Sequence, residues 1–477
     1  MDNSKTSGYL WFICLVSALG GFFFGFDLIV ISGTISLVKA QFGFLPWQEG
    51  FFVSSAVVGA IAGTALAGKL SDKYGRKKNL FLAALILFIS AMGCTFASDA
   101  NSLIFYRLIG GFGVGIATLV SPLYISEISP SNVRGRMVTL FQFAITVGIM
   151  ISLFSNAAIK NFSDAMIASG ELEGMFGWLF GSEPWRGMFL AEGIPGLFFV
   201  LMCLLIPESP RWLISNNREQ EAKSIITKVA GEKRAASQVK EIKEVISEET
   251  SKFSDLFKGG YKTALVIAVA LSIFSEMSGI TVVFFYGPTI LEKAGLSLGD
   301  SLGGFAIIGI VNVVFTVIAL WLMDIAGRKK LLLVGTVGVI IAHTAIGLLF
   351  LNNYDSGMAL VFLMCAFVAF FAFSMGPIKF VIMNEIFPTK VRGRAVAIAT
   401  ITIWVCQALL NQFFPMLREV IPVGAIFIFF AVILLPQIYF VLKVMPETKG
   451  MSLEEIEQYW KTNSNENKGT ELKSVKA

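Results

Sequence analysis

The chain has 477 residues, of which 55% are hydrophobic and only 15% are charged, and its formal net charge is +5. A soluble globular protein carries about 25% charged residues, so the composition excludes an ordinary soluble domain. A single histidine and the lack of a Walker motif or metal-ligand cluster argue against an enzyme, a cofactor or a metal. The basic residues form no face on a soluble domain, so nucleic acid is not expected as a partner.

Hydrophobic blocks of about twenty residues follow one another along the chain, and a helix of that length crosses a hydrocarbon core of roughly 30 Å. The blocks do not alternate as barrel strands would, and backbone groups in lipid must pair internally, which favours helices. The first block lacks a basic leader and carries Asp27 near its end, so it is predicted to remain uncleaved. The twelve predicted spans are 10–33, 49–70, 79–98, 102–123, 137–158, 186–206, 262–287, 302–322, 330–351, 358–383, 395–417 and 422–444.

The distribution of cations between alternate loops predicts the orientation of the spans. One set of loops holds Lys69, Lys73, Arg76, Lys77, Lys78, Arg134, Arg136, Arg328, Lys329, Lys330, Lys390, Arg392 and Arg394. The other set holds Lys39, Lys160, Lys293 and Arg418, with Arg186 at a helix end. Because positive residues are retained in the cytoplasm, the first set and both termini are predicted to be cytoplasmic.

Polar segments divide the chain into four predicted parts. These are a first bundle (10–206), a cytoplasmic linker (207–261), a second bundle (262–444) and a cytoplasmic tail (445–477). The linker has a helical pattern over Glu219–Glu249 and is expected to have too little apolar content for a core of its own. The longest outer loop is predicted at Lys160–Pro184, and disorder is predicted for Lys461–Ala477.

Two loop motifs occur twice. Residues 68–78 read GKLSDKYGRKK and residues 320–330 read LWLMDIAGRKK, while residues 124–138 read YISEISPSNVRGRMV and residues 382–396 read IMNEIFPTKVRGRAV. Each motif recurs after about 250 residues, which indicates two six-helix halves in parallel orientation.

The loop motifs also suggest a cytoplasmic gate. Gly75 and Gly327 allow sharp turns between helices, and the acids of each motif have arginines of the neighbouring motif as candidate partners. Asp72 and Asp324 lie at helix ends, where an arginine of the adjoining motif can pair with them. Glu127 with Arg134 and Arg136, and Glu385 with Arg392 and Arg394, offer such partners. The alternative is that the cations only set the topology. The candidate gate residues are Asp72, Arg76, Glu127, Arg134, Arg136, Asp324, Arg328, Glu385, Arg392 and Arg394.

The cysteines and the histidine lie inside predicted spans. Cys14, Cys94, Cys203, Cys365 and Cys406 have no paired spacing, so packed thiols are expected instead of disulfides or metal ligands. His343 is interpreted either as a satisfied contact between helices or as part of a polar path.

The motifs together resemble the major facilitator superfamily and, within it, the sugar porter family. Besides the loop motifs, the resemblance includes RLIGGFGVG (107–115), PESPRWL (207–213), SGITVVFFYGP (278–288) and PETKG (446–450). It covers residues 10–460 and implies two six-helix bundles that open a central site alternately to each side of the membrane.

Charges inside the spans are the candidates for function, because an unpaired charge in a bilayer costs roughly 3 to over 10 kcal/mol. The resemblance places an acid at Asp27 in proton-coupled members and an arginine at Arg107 opposite it; Glu192 also matches a family position. A pair that holds when Asp27 is ionised and releases when it is protonated would couple a proton to a conformational change. The alternative is a structural ion pair.

The resemblance places a sugar-binding glutamine at Gln142, whose amide suits hydroxyl groups. At other sugar-contacting positions this chain departs from the family. A Gln-Gln pair is replaced by Ser275 and Glu276 and an Asn by Thr281, while a stacking Trp becomes Phe380 and a Gln becomes Ile403.

Glu276 and Lys379 are the unusual charges of the second half. Glu276 lies about fourteen residues, or roughly 21 Å, into its predicted helix and so near the middle of the membrane. The two residues are expected either to pair with each other or to bind substrate, Lys379 then holding an acidic group.

The sequence therefore predicts a secondary transporter that imports a monosaccharide-sized sugar or polyol by proton symport. It is expected to act as a monomer in the lipid bilayer of the inner or plasma membrane. The alternatives are an uncoupled facilitator and a proton-coupled carrier of a sugar acid or another small organic solute. A sensor on a transporter fold is disfavoured, because the tail after the last span is short.

Overall fold

The computed structural model describes residues 8–130, 133–248, 256–257, 260–352, 357–387 and 389–449. Within these ranges twelve helical segments are long and apolar enough to cross a membrane, and no β-strand is present in them. The predicted all-α class with twelve spans is confirmed. The predicted disorder of Lys461–Ala477 lies outside the described residues.

The first six spans form one bundle. They are α1 (Gly8–Phe42), α2 (Pro46–Tyr74), α3 (Arg76–Thr95), α4 (Ala100–Ile128), α5 (Arg134–Ser169) and α6 (Pro184–Leu205). Helix α2 packs on α4, α1 on α5, and α3 on α6. Asp99 caps α4 by accepting bonds from the backbone N–H groups of Ser102 (3.0 Å) and Asn101 (2.8 Å). The bond from Ser102, above all, holds the pKa of the Asp99 carboxyl below its usual range.

Glycines allow α2 and α4 to approach closely. A Cβ atom on Gly59 or Gly63 would meet the backbone of α4 at Leu108 or Phe112, and one on Gly111 would meet the backbone of α2 at Ala56. Small residues four positions apart on facing helices are a common packing device in membranes, where no hydrophobic force drives helices together. The α2–α4 pair is therefore closely packed within the first bundle.

The predicted outer loop, Lys160–Pro184, is helical at its start, because α5 continues to Ser169. Lys160 pairs with Asp164 one turn later, and the first residue that stops the helix is Gly170, with φ of 75°. Two short segments complete the connection, a helix at Gly174–Gly177 and a π-helical turn at Trp178–Ser182. Hydropathy marks only the apolar part of such a helix, which is why the predicted loop was too long.

The linker contains α7 (Pro210–Ser215), α8 (Glu219–Ala230) and α9 (Glu232–Glu248). The expectation that it lacks a core is wrong. The three helices bury a small cluster of their own, made of Leu213, Ile214, Ala222, Ile226, Ala235 and Val239. Each helix needs only one apolar stripe to do this, so a polar average composition concealed it.

The second half also contributes six spans, three of which consist of two helices each. The helices are α10 (Gly260–Met277), α11 (Ile280–Lys293), α12 (Leu298–Ala326), α13 (Arg328–Leu351), α14 (Gly357–Ala372), α15 (Met375–Glu385), α16 (Thr389–Val420), α17 (Val423–Ile433) and α18 (Leu435–Lys443). The breaks separate α10 from α11 at Gly279, α14 from α15 at Ser374, and α17 from α18 at Leu434. Broken helices at membrane depth are typical of transport sites.

The two halves meet along three helix pairs: α2 packs on α16, α5 on α12, and α1 on α11. We call the end of the molecule with the turns at Gly75 and Gly327 the arginine-rich face. The other end, where α1 stops and α2 begins, is the opposite face.

Candidate transport site

Asp27 and Arg107 form an ion pair inside the first bundle. Arg107 Nη1 donates to Asp27 Oδ1 and to the Asp27 backbone carbonyl, at 2.9 Å in each case. Asp27 is 2% exposed and Arg107 is fully buried. Among the described residues, Asp27 Oδ2 and Arg107 Nε and Nη2 have no hydrogen-bond partner. The ion pair is therefore monodentate, with one guanidinium nitrogen on one carboxylate oxygen, and such a pair is easier to release than a bidentate one.

Glu192 on α6 completes this cluster. It is 1% exposed, and its carboxyl group lies next to that of Asp27. Two ionised carboxylates beside one guanidinium would leave a net negative charge in a buried site, which is costly. A proton on either carboxyl group makes the cluster neutral and lets one carboxyl donate to the other. The cluster is thus suited to hold one proton.

Lys379 and Glu276 form a second buried ion pair, in the second bundle. Lys379 Nζ lies 3.0 Å from Glu276 Oε1 and donates to Ser275 Oγ at 2.9 Å. The ammonium group also lies over the ring of Phe380, 5.3 Å from its centroid. Glu276 Oε2 is buried and has no partner within the described part of the chain. The pair is neutral as a whole and leaves one carboxylate oxygen able to accept from a ligand.

The break between α10 and α11 brings this pair into position. Gly279 adopts a left-handed conformation (φ 74°), which suits glycine, and the chain turns just after Glu276. His343 Nε2 lies 2.6 Å from the Ser278 carbonyl oxygen, which the break leaves available, and its ring packs 4.4 Å from that of Phe367. A protonated Nε2 donates this bond, so the geometry matches the helix-contact interpretation of His343.

The other positions considered for sugar binding lie on α5, α11, α15 and α16 and differ in burial. Gln142 on α5 and Phe380 on α15 are half-buried. Thr281 on α11 is 9% exposed, and no described residue bonds its Oγ1. Ile403 is buried and offers no polar atom.

Trp404 is a candidate that the sequence prediction missed. Its ring lies 5.3 Å from the ring of Phe24 in an edge-to-face arrangement, so it joins α16 to α1 of the other half. Its indole Nε1 is buried and lacks a partner among the described residues. A buried indole N–H usually finds an acceptor, so this one is available to a ligand.

On the arginine-rich face each half holds a compact cluster. Arg76 Nε lies 2.9 Å from Glu127 Oε2, which also accepts a bond from Ser209 Oγ (2.5 Å). In the second half Arg328 pairs with Glu385 at 2.7 Å, and Thr448 Oγ1 donates to Glu385 at 2.5 Å. Ser209 and Thr448 come from PESP and PETK, so these two motifs occupy equivalent places.

Glu208 and Glu447, which precede Ser209 and Thr448 in these motifs, act as helix caps. Glu208 Oε1 accepts from the backbone N–H groups of Arg76 (2.8 Å) and Lys77 (3.1 Å), at the start of α3. Glu447 does the same at the start of α13, at 3.0 Å from Arg328 N and 3.0 Å from Lys329 N. We call each set of four residues a clasp. The clasps consist of Glu208, Ser209, Glu127 and Arg76 in the first half, and of Glu447, Thr448, Glu385 and Arg328 in the second.

The pairing predicted for the gate arginines differs from the structure. Glu127 binds Arg76 and Glu385 binds Arg328, because those arginines begin helices that face the ends of α4 and α15.

The other gate candidates lie outside these pairs. Arg134, Arg136 and Arg394 are exposed, and Arg136 lies over the Trp11 ring. Arg392 donates to the Phe387 carbonyl at 3.1 Å. Asp72 lies 3.4 Å from Arg76, and only the backbone of Asp324 is described.

On the opposite face the structure shows a polar cluster that the sequence prediction missed. Glu49, in the first turn of α2, is fully buried. It pairs with Lys39 of α1 (2.8 Å) and with Arg418 of α16, so it joins the two halves.

Known proteins are similar to this chain over most of its length. A sequence profile described as "Sugar (and other) transporter" matches residues 13–460. The arabinose-proton symporter of Bacillus subtilis (strain 168) is 36% identical over 461 residues, covering 96% of this chain and 97% of that protein. The D-xylose-proton symporter of Escherichia coli (strain K12) is 35% identical over 494 residues, with 96% and 97% covered. The partially occluded inward-open conformation of the xylose transporter XylE from E. coli matches with a TM-score of 0.81 and 33% identity, over 94% of this chain and 100% of that one.

Proposed function

The chain belongs to the sugar transporter family of the major facilitator superfamily, and on that premise we propose that it imports a neutral sugar or polyol together with a proton. The names of its relatives, an arabinose-proton and a D-xylose-proton symporter, support this. The observation that carries the proposal is the fully buried pair of Asp27 and Arg107. Coupling requires that the proton bind the two conformations of a carrier unequally, and a buried carboxylate with one cationic partner meets that requirement.

The proposed coupling step uses the release of this pair. With Asp27 ionised, Arg107 holds α1 to α4. Protonation neutralises the carboxyl and removes the attraction, and Glu192 can supply or accept the proton next to it. Helix α1 also packs on α5 and on α11 of the other half, so its release is positioned to change how the halves meet.

The substitution Asp27→Asn tests the coupling. The amide imitates the protonated state, so we expect proteoliposomes with this variant to lose uphill accumulation and to keep exchange between equal pools. Asp164→Asn is the matched control, because it removes an ion pair on the exposed part of α5 and should leave accumulation unchanged. A variant at Asp27 that still concentrates substrate rules out Asp27 as the coupling site and favours an uncoupled or differently coupled carrier.

The Lys379 cluster supports a neutral substrate. Lys379 already has Glu276 and Ser275 as partners, and an anionic sugar beside Glu276 would put two carboxylates next to one ammonium. Glu276 Oε2, which has no partner among the described residues, can accept a bond from a substrate hydroxyl group, and Gln142, Thr281 and Trp404 offer further polar atoms. The second candidate, transport of a sugar acid, rests on the presence of a lysine in this span.

A ligand panel distinguishes the two candidates. Purified protein is heated with pentoses, hexoses, inositols or uronates, and the shift of its unfolding temperature is measured. A ligand at one hundred times its Kd stabilises the protein by about 2.7 kcal/mol. We expect neutral compounds to give the shift; stabilisation by uronates alone would replace the neutral-substrate proposal with the sugar acid.

We further propose that the arginine-rich face is cytoplasmic, since it holds most of the loop cations, and that both termini lie on that side of the inner or plasma membrane. A single chain contains both halves of the site, so the protein is proposed to work as a monomer.

A further inference from the structure

The opposite face is closed by side chains from both bundles. Arg418 Nη2 pairs with Glu49 Oε1, and Arg418 Nη1 lies 3.4 Å from Thr289 Oγ1. The guanidinium group lies 5.7 Å from the Tyr286 ring centroid, and the Tyr286 hydroxyl donates to the Asn411 carbonyl at 2.8 Å. These contacts within its own bundle orient Arg418 toward Glu49.

Neighbouring side chains also join the two halves on the opposite face. Ser54 Oγ donates to Gln412 Oε1 at 3.0 Å, and Gln412 Nε2 donates to the Trp47 carbonyl at 3.0 Å. A Cβ atom on Gly50 would collide with the Gln412 backbone, so α2 and α16 touch directly here. Ser36 Oγ also donates to Glu292 Oε2 of the other half, at 2.5 Å.

We propose that Glu49 and Arg418 are the outer gate of the carrier: an ion pair that exists only while the outer ends of α2 and α16 are together. This assignment rests on the proposed orientation, in which the opposite face is the outer one. Opening that face separates the pair and hydrates both charges, which offsets part of the lost attraction and keeps the step reversible.

The arrangement around Glu49 suits a contact that is repeatedly broken. Its Oε2 stays bonded to Lys39 of the same bundle, so opening removes Arg418 from Oε1 and leaves the carboxylate with a cation. The clasps of the arginine-rich face differ, because Arg76 and Glu127 both belong to the first half and Arg328 and Glu385 both belong to the second. Those ion pairs can persist through the cycle, whereas the Glu49–Arg418 pair cannot.

Distance measurement between spin labels tests the gate. Labels are placed at Leu45→Cys and Val420→Cys, both exposed on this face in different halves, in full-length protein in nanodiscs with the native cysteines replaced. We expect Glu49→Gln and Arg418→Gln each to raise the ratio of long to short distances by about tenfold or more. Arg418→Lys, which keeps the charge, should give a smaller shift.

Glu183→Gln is the matched control. Glu183 pairs with Arg186 at 2.6 Å on the same face but inside the first half, so its loss should leave the label distance unchanged. If a single variant does not fold, the double variant Glu49→Gln with Arg418→Gln is measured instead, because it leaves no buried charge unpaired. If the distances between the two labels in this double variant equal those of the wild type, the gate proposal is wrong. Loss of coupling in Asp27→Asn is measured independently, so either proposal can fail without the other.

Discussion

At position 379 a lysine occupies the interior of a membrane span, where an unpaired charge costs roughly 3 to over 10 kcal/mol. Its ammonium group is 3.0 Å from Glu276 and 2.9 Å from the Ser275 hydroxyl, and only 9% of the side chain is exposed. Removing one partner leaves the other charge buried and alone. The pair is therefore a joint feature of the site, and its two members are best tested together.

A double-mutant cycle on Glu276→Gln and Lys379→Gln separates pairing from substrate binding. Breaking a buried pair by changing one partner typically costs about 3–5 kcal/mol, so each single variant should be less stable and the double variant should recover much of the loss. Thermal unfolding and uptake are measured for all four proteins. Additive losses in both assays, or a Lys379→Gln protein of normal stability that no longer binds ligand, would favour an acidic substrate.

At the scale of helices, the clasps tie each bundle together at the arginine-rich face. In the first half Glu208 caps α3, while Glu127 at the end of α4 holds Arg76 at the start of α3. The Arg76 side chain is 9% exposed and that of Glu127 is 3% exposed, so water screens this pair little. Exposed arginines one loop away, such as Arg134, have no comparable environment.

Arg76→Ala and Arg134→Ala should therefore differ strongly. The first leaves Glu127 buried without its cation and is expected to destabilise the protein by about 3–5 kcal/mol. The second removes an exposed side chain and should change stability by no more than about 0.5 kcal/mol. Unfolding temperatures in detergent compare the two, and equal losses would show that Arg76 contributes no more than a topology signal.

At the scale of the whole molecule, the direction of insertion decides what each face does. Glu173 lies between α5 and α6 and Ser215 ends α7 in the linker, and both are exposed. With Glu173→Cys in a background lacking native cysteines, a membrane-impermeant maleimide should label intact cells. With Ser215→Cys, labelling should appear only after the membrane is permeabilised; the reverse pattern would invert the orientation and make the Glu49–Arg418 pair an inner gate.

Span prediction succeeded because hydropathy is a local property, and the short list of charges within spans contained Asp27, Arg107, Glu276 and Lys379. Contacts between distant elements were harder. Glu49 and Arg418 are 369 residues apart, and each lies near a span end, where a charge is unremarkable. The partner of Asp72 was misassigned for a related reason: Asp72 lies nearest Arg76 of its own motif, and a sequence motif does not determine which helix ends face each other.

The clasp of the second half extends beyond its last membrane helix. Helix α18 ends at Lys443, yet Glu447 and Thr448 supply the cap of α13 and the hydroxyl on Glu385. A chain shortened to Val444 would retain twelve apolar segments and still lack two parts that its first half has in Glu208 and Ser209. The repeating unit of this architecture is thus six spans and the four or five residues that follow them, so counting membrane crossings alone would misjudge where a half is complete.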